Sequence, residues 1–298
     1  MMSHIVRLID YAGWKNCIHI TNTVFEAVIT ADVGPRIVRF SRVGGPNMLW
    51  LDEFTAGQTE ETKTWRAYGG HSFDAVIDGE AYLPPENTPV AYELTKDGVV
   101  FEAVEKNGIA KTIAIRMCRR GGLEIKETLT NTGSESRTVV VNGNTLLHSG
   151  GVAAMPLKKE DKLLCGSVCP KVQRGENLSL IAHDESEANG YKLLFGLEEL
   201  WCGYFSKGNL FIMTSPKMEE PYADGINLAL EASPRRFRMS SYSPEKVLQP
   251  GESVLHTEVW NIFTGMPSPD SEEKAAAMLK NNKYFYEFCK KPVPCIDD

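Results

Sequence analysis

The stretch that most constrains this chain runs from Leu123 to Gly151. Its first half, Leu123-Glu124-Ile125-Lys126-Glu127-Thr128-Leu129-Thr130, alternates apolar and polar residues in the period-2 pattern of a half-buried strand. Asn131-Thr132-Gly133-Ser134 supplies turn formers, and Arg137 to Val141 begins a returning strand, so the segment reads as a hairpin. The return ends in Asn142-Gly143-Asn144-Thr145-Leu146-Leu147-His148-Ser149-Gly150-Gly151. Successive side chains on a strand point to opposite faces, which puts Asn142, Asn144, Leu146 and His148 on one face. Two carboxamides and an imidazole fill a core poorly and suit a concave surface that meets a polyhydroxylated ligand. Glu127 interrupts the apolar row of its own strand, which marks a strand end or a polar groove.

The rest of the chain repeats the same grammar. Short strands are expected at Cys17–Ile20, Val24–Thr30 and Arg36–Ser41, the last two separated by Asp32-Val33-Gly34-Pro35. A meander follows at Val99–Glu105, Lys111–Met117 and Leu123–Thr130. Further strands are expected at Leu178–Ala182, Tyr191–Phe195, Leu210–Thr214, around Leu228–Glu231, and over Val254–Ile262. Trp201, next to Glu198 and Glu199, reads either as a core residue beside a turn or as the lip of a binding site. The tail is different: Ala275, Met278, Leu279, Asn282 and Phe285 recur at three- and four-residue spacing, with acids early and lysines late. The expectation is one all-β domain over residues 1–298, a large antiparallel β-sandwich, with a helix at about 269–291 packed over a sheet or against a partner subunit as a homodimer.

Charge and composition exclude several classes. With 298 residues a single sandwich can bury a large core, and the net charge of -7 argues against nucleic acid, which calls for a basic face. No run of eighteen apolar residues exists to span a membrane, and the N-terminus lacks the apolar segment of a signal peptide. Seven cysteines in such a chain read as free thiols in a reducing cytoplasm, and Cys165-Gly166-Ser167-Val168-Cys169 has no second Cys/His pair at metal spacing. There is no P-loop and no dinucleotide fingerprint; the Gly-Gly pairs at 44, 69, 121 and 150 read as turns and bulges.

The long polar segment 52–70 closes on Trp65-Arg66-Ala67-Tyr68-Gly69-Gly70-His71. Loops of this length tend to carry function. Aromatic rings stack on the C–H face of a pyranose, and a guanidinium reaches hydroxyls or a carboxylate. Trp65, Arg66, Tyr68 and His71 are therefore candidates for a sugar site. The alternative is equally open: Trp65 and Tyr68 cap the core and His71 bonds a backbone carbonyl. On the last strand His256, Glu258 and Trp260 share a face, which fits a polar groove or a surface pair.

Three segments resemble the galactose mutarotase-like superfamily, the aldose 1-epimerases and their relatives. "LEIKETLTNTGSES" leads to a strand ending in a histidine; "FEAVITADVGPRIVRFSRVGGPNMLW" opens the domain; "KVLQPGESVLHTEVWNIF" closes it. The phrase "YGGH" is similar to a segment of uncharacterised members. The resemblance implies the mutarotase-like supersandwich, a small carbohydrate as partner, and neither cofactor nor metal. It implies that His148 is the acid acting on the ring oxygen. Glu231, whose "LEAS" is similar to the superfamily's Leu-Glu-x-Gln, would be the base. After His148 the epimerase sequence Tyr-Phe-Asn is replaced by Ser149-Gly150-Gly151.

The chemistry implied is proton transfer to the ring oxygen and from the C1 hydroxyl, then reversal, which needs one imidazole and one carboxylate on opposite sides of the sugar. His148 with Glu231 is the first pair, and His71 or His256 can replace His148. Arg36, Arg66, Trp65, Tyr68 and Asn144 are expected to hold hydroxyls. Two other classes stay open: a sugar-binding module without turnover, and lyase or hydrolase chemistry on the same fold.

Overall fold

The computed structural model describes residues 4–59, 66–82, 86–102, 107–118, 122–158, 161–176, 178–183, 190–216, 218–282, 285, 288 and 289. Two antiparallel sheets, of twelve and ten strands, pack face to face. One continuous apolar cluster draws on the inner rows of both, including Phe40, Phe73, Val141, Leu147 and Phe237 from the larger sheet and Ile113, Ile125, Phe211 and Trp260 from the smaller. Alternation explains this economically. Each strand buries every second residue, as in Ile109–Met117, where Ile109, Lys111, Ile113, Ile115 and Met117 are buried and the residues between them are half-buried.

At the centre of the larger sheet lie four neighbours: His71–Ile77, Arg137–His148, Arg236–Tyr242 and Leu228–Ser233. The smaller sheet is centred on Asn209–Thr214, Ser253–Thr264, Leu123–Asn131 and Ile109–Met117. The expected hairpin is therefore a corner. Leu123–Asn131 pairs with Ile109–Met117 and Ser253–Thr264 in one sheet, whereas Arg137–His148 pairs with His71–Ile77 and Arg236–Tyr242 in the other. Both strands carry a row of large apolar side chains, and stacking them face to face buries those rows against each other. Asn131 holds the corner: fully buried, it donates to the carbonyls of Glu135 and Leu248 and accepts from the Gly133 amide.

Most strands fall where alternation puts them, with ends shifted by up to three residues. Ile5–Tyr11 is an addition, an edge strand with Ile5 and Leu8 exposed. Trp201 is buried and begins the strand Trp201–Ser206. The first helical stretch of the tail runs Glu272–Asn281, with Ser271 as its N-cap accepting from the Lys274 amide, and Phe285, Phe288 and Cys289 are helical again beyond it. It stops at Asn282, whose backbone is extended; adjacent asparagines favour caps over helix interior. The helix packs Ala275 and Leu279 on Trp201, Phe205, Leu210 and Phe263, the outer face of the smaller sheet. No helix among the described residues is long and apolar enough to cross a membrane.

The thiol expectation is corrected in part. Cys165 and Cys169 form a disulfide and Cys118 is disulfide-bonded too, while Cys17, Cys202 and Cys289 are free. That removes much of the support that free thiols lent to a reducing compartment.

Candidate functional site

The outer face of the larger sheet carries the polar row that the sequence shows. On Arg137–His148, Val141, Thr145 and Leu147 turn inward and are buried, leaving Asn142, Asn144, Leu146 and His148 on the outer face. Register fixes their neighbours. Asn142 lies opposite Asp74 and Asn144 opposite Ser72 on one side. On the other side Asn144 faces Ser240, Leu146 faces Arg238 and His148 faces Arg236. Glu231 lies opposite Arg238 on the next strand.

A cleft opens on this face, lined by Arg36, Arg66, Ala67, Tyr68, Ser72, Asp74, Glu86, Asn144, Leu146 and Arg238. At its floor the Asn144 amide donates to Asp74 Oδ2 at 2.9 Å, and Ser240 Oγ donates to Asn144 Oδ1 at 2.7 Å. Burial pushes the Asp74 carboxyl up to about 6, against the pull of Lys111. Arg36 is buried, donates Nη1 to the Gly69 carbonyl at 2.8 Å and reaches Glu86 Oε2 at 3.5 Å; its Nε has no partner among the described residues. Lys111 reaches Glu86 Oε1 at 2.5 Å and the Phe73 carbonyl at 2.5 Å. Tyr68 is buried with its hydroxyl on Asn87 Oδ1 at 3.0 Å, and Arg66 bonds Gln58.

Of the residues singled out from the sequence, Arg36, Arg66, Tyr68 and Asn144 meet in this cleft. His148 and Glu231 share its face without lining it. Glu231 is paired with Arg238 at 3.5 Å and its side chain is 43% exposed. The Arg236–Tyr242 strand separates the two, so their Cα atoms stand on the order of 12 Å apart from strand spacing and rise. Trp65 lies outside the described residues. Asp74, Ser72 and Arg238 are cleft residues the sequence reading passed over; the alternation of Ser72-Phe73-Asp74 and Arg236-Phe237-Arg238 around buried phenylalanines is the signal that points to them.

His71 and His256 are not brought to the cleft. Both face inward and are buried between the sheets. His71 bonds Thr145 Oγ1 through Nδ1 at 3.0 Å and Glu127 Oε1 through Nε2 at 2.9 Å, side-chain contacts in place of the expected backbone carbonyl. His256 Nε2 lies 2.7 Å from Ser241 Oγ. Burial holds the imidazoles down, His71 to about 4 and His256 to about 3, and raises the carboxyls of Glu127 and Glu258. Sequence periodicity groups His256 with Glu258 and Trp260 correctly but is silent on which face is the inside.

No family model matches the sequence, and no curated protein does. Solved structures do. A galactose mutarotase-like protein from Lactobacillus casei superimposes with a TM-score of 0.57 at 11% identity, over 83% of this chain and 100% of that one. A galactose mutarotase-like protein from Clostridium acetobutylicum gives 0.55 at 13% identity, over 88% and 99%. A TPR-domain containing protein from Parabacteroides distasonis gives 0.59 at 14% identity over 90% of this chain; the match spans 54% of that longer protein. The chain has the galactose mutarotase-like fold.

Proposed function

We propose that the cleft on the larger sheet binds a carbohydrate and that the protein is an epimerase of the mutarotase type, interconverting the anomers of an aldose or aldose derivative. The observation that carries the reading is the composition of the cleft. Arg36, Arg66, Arg238, Asp74, Asn144 and Ser72 offer donors and acceptors in several directions around the apolar patches of Leu146 and Ala67. A polyhydroxylated ring needs that mixture, since its hydroxyls pair with forked polar groups and its C–H faces with apolar surface. The Nε of buried Arg36, without a partner among the described residues, is a donor that a sugar oxygen would satisfy.

Proton transfer falls to His148 as acid and Glu231 as base. Arg238 pairs with Glu231 at 3.5 Å and lines the cleft, which links the carboxylate to the cleft wall. Asp74, with its carboxyl near neutrality, is a second group able to give or take a proton there. The competing reading is a sugar-binding protein without turnover, favoured by one observation: neither His148 nor Glu231 lines the cleft.

Binding is tested first. Calorimetric titration of neutral aldoses, hexose phosphates and uronic acids is expected to give heat with at least one sugar, and Asn144→Ala or Arg238→Ala to weaken it at least about tenfold, the loss of one good hydrogen bond to a charged group. No heat from any sugar, or affinity indifferent to both changes, would dispose of the cleft as the site.

A further inference from the structure

The interior of a sandwich this size is expected to be apolar, yet two carboxyls and two imidazoles lie at its centre. Glu127 and His256 are directly opposite each other on neighbouring strands of the smaller sheet, and Glu258 is two residues on from His256 on the same inner row. All three are buried, at 0%, 3% and 1% exposure. A ring nitrogen of His256 and one oxygen from each carboxyl lie within 4.8 Å of one another.

The surroundings hold these groups as ligands are held. His71 Nε2 occupies one oxygen of Glu127, and Trp260 Nε1 donates to Glu258 Oε2 at 2.6 Å. Each carboxyl is thus oriented by a ring nitrogen at one oxygen, with the other turned toward the cluster, the arrangement that commonly fixes carboxylate ligands from behind. Glu127 Oε2 is fully buried and has no partner among the described residues. Ser241 Oγ, on the facing sheet, donates to Glu258 Oε1 at 2.5 Å and lies 2.7 Å from His256 Nε2, so one hydroxyl links two of the three groups. Opposite the cluster stands Gly143. A Cβ there would overlap Glu258 Oε1 and come within 3.1 Å of Glu127 Oε2 and 3.2 Å of Ser241 Oγ. The polar atoms therefore gather over the one inner position of that strand without a side chain.

Burial raises both carboxyls, and for the pair to stand ionised in this dry interior a compensating positive charge is required. The Lys111 ammonium is committed to Glu86 and the Phe73 carbonyl. We propose that Glu127, His256 and Glu258 form a structural site for a divalent first-row transition metal, sealed between the two sheets behind the cleft. One imidazole with two carboxylates suits Zn2+ or a neighbouring ion. The site binds on folding, because buried ligands are reached only before the sheets close.

The test uses the full chain, unfolded with EDTA, freed of chelator, and refolded with or without Zn2+, then dialysed and analysed by elemental mass spectrometry. Wild type is expected to retain about one Zn2+ per chain and to melt higher than the metal-free preparation. Glu127→Gln and Glu258→Gln are expected to retain less than about a tenth as much, since losing even an outer-shell partner of a ligand typically costs about 10–100-fold in affinity, while Glu231→Gln on the outer face of the larger sheet retains all of it. Wild type that keeps no metal and melts identically with and without Zn2+ would overturn the site and leave two protonated acids in its place; retention unchanged in Glu127→Gln and Glu258→Gln would overturn it as well. Should those variants fail to refold, wild type refolded with Co2+ decides: visible absorption distinct from the hydrated ion supports the site, and the hydrated-ion spectrum contradicts it.

Discussion

Asn144 and Asp74 are joined across two neighbouring strands of the larger sheet, amide nitrogen to carboxylate oxygen at 2.9 Å, and together they make the floor of the cleft. The bond ties a sequence feature chosen for its face, Asn144, to a titratable group that the sequence did not single out.

Asp74 carries the first prediction. Its carboxyl is raised by burial from 3.8 to about 6, so between those values the folded chain holds a proton that the unfolded chain has lost. Stability then falls as pH rises through that window, and above about pH 6 the ionised group costs the fold up to about 3 kcal/mol. Asp74→Asn keeps a partner for Asn144 and removes the titration. Urea unfolding from pH 4 to 7.5 is expected to show the variant gaining on wild type as pH increases. Parallel curves would mean that Asp74 ionises as freely in the fold as in water.

Gly143→Ala is expected to destabilise the protein by about 1–3 kcal/mol, because the added methyl displaces buried carboxyls of the opposite sheet rather than filling space. A denaturant midpoint equal to that of wild type would show that Glu127 and Glu258 lie elsewhere.

Leu279→Ala should cost about 2–5 kcal/mol through the cavity left beside Trp201, Phe205 and Phe263. If the midpoint moves by only a few tenths of a kcal/mol, the helix does not pack on that sheet.

The sandwich was legible because alternation survives tertiary packing: the inner rows of Ile109–Met117 and Leu123–Asn131 read directly from the chain. Pairing was less legible. Asn131-Thr132-Gly133-Ser134 is equally good chemistry for a hairpin and for a corner between sheets, and only the facing apolar rows distinguish them. The site divides in the same way. The structure brings Arg36, Arg66, Tyr68 and Asn144 together in one cleft. His71 and His256 were grouped with it because polar residues on a strand suggest an outer face. Here Glu127, His256 and Glu258 share an inner one, and nothing local to a strand distinguishes the two.

Interconversion of sugar anomers at the cleft face is measured by saturation-transfer NMR. Over a panel of aldoses, hexose phosphates and uronic acids, the protein is expected to accelerate exchange between α and β anomers of at least one sugar. His148→Ala and Glu231→Gln should each reduce that acceleration by about a hundredfold or more while the protein remains folded, the usual contribution of a positioned acid or base. Loss confined to Asp74→Asn would move the proton transfer to the cleft floor. Exchange rates equal to buffer for every sugar, in a protein that binds one of them, would contradict the epimerase and leave a binding protein.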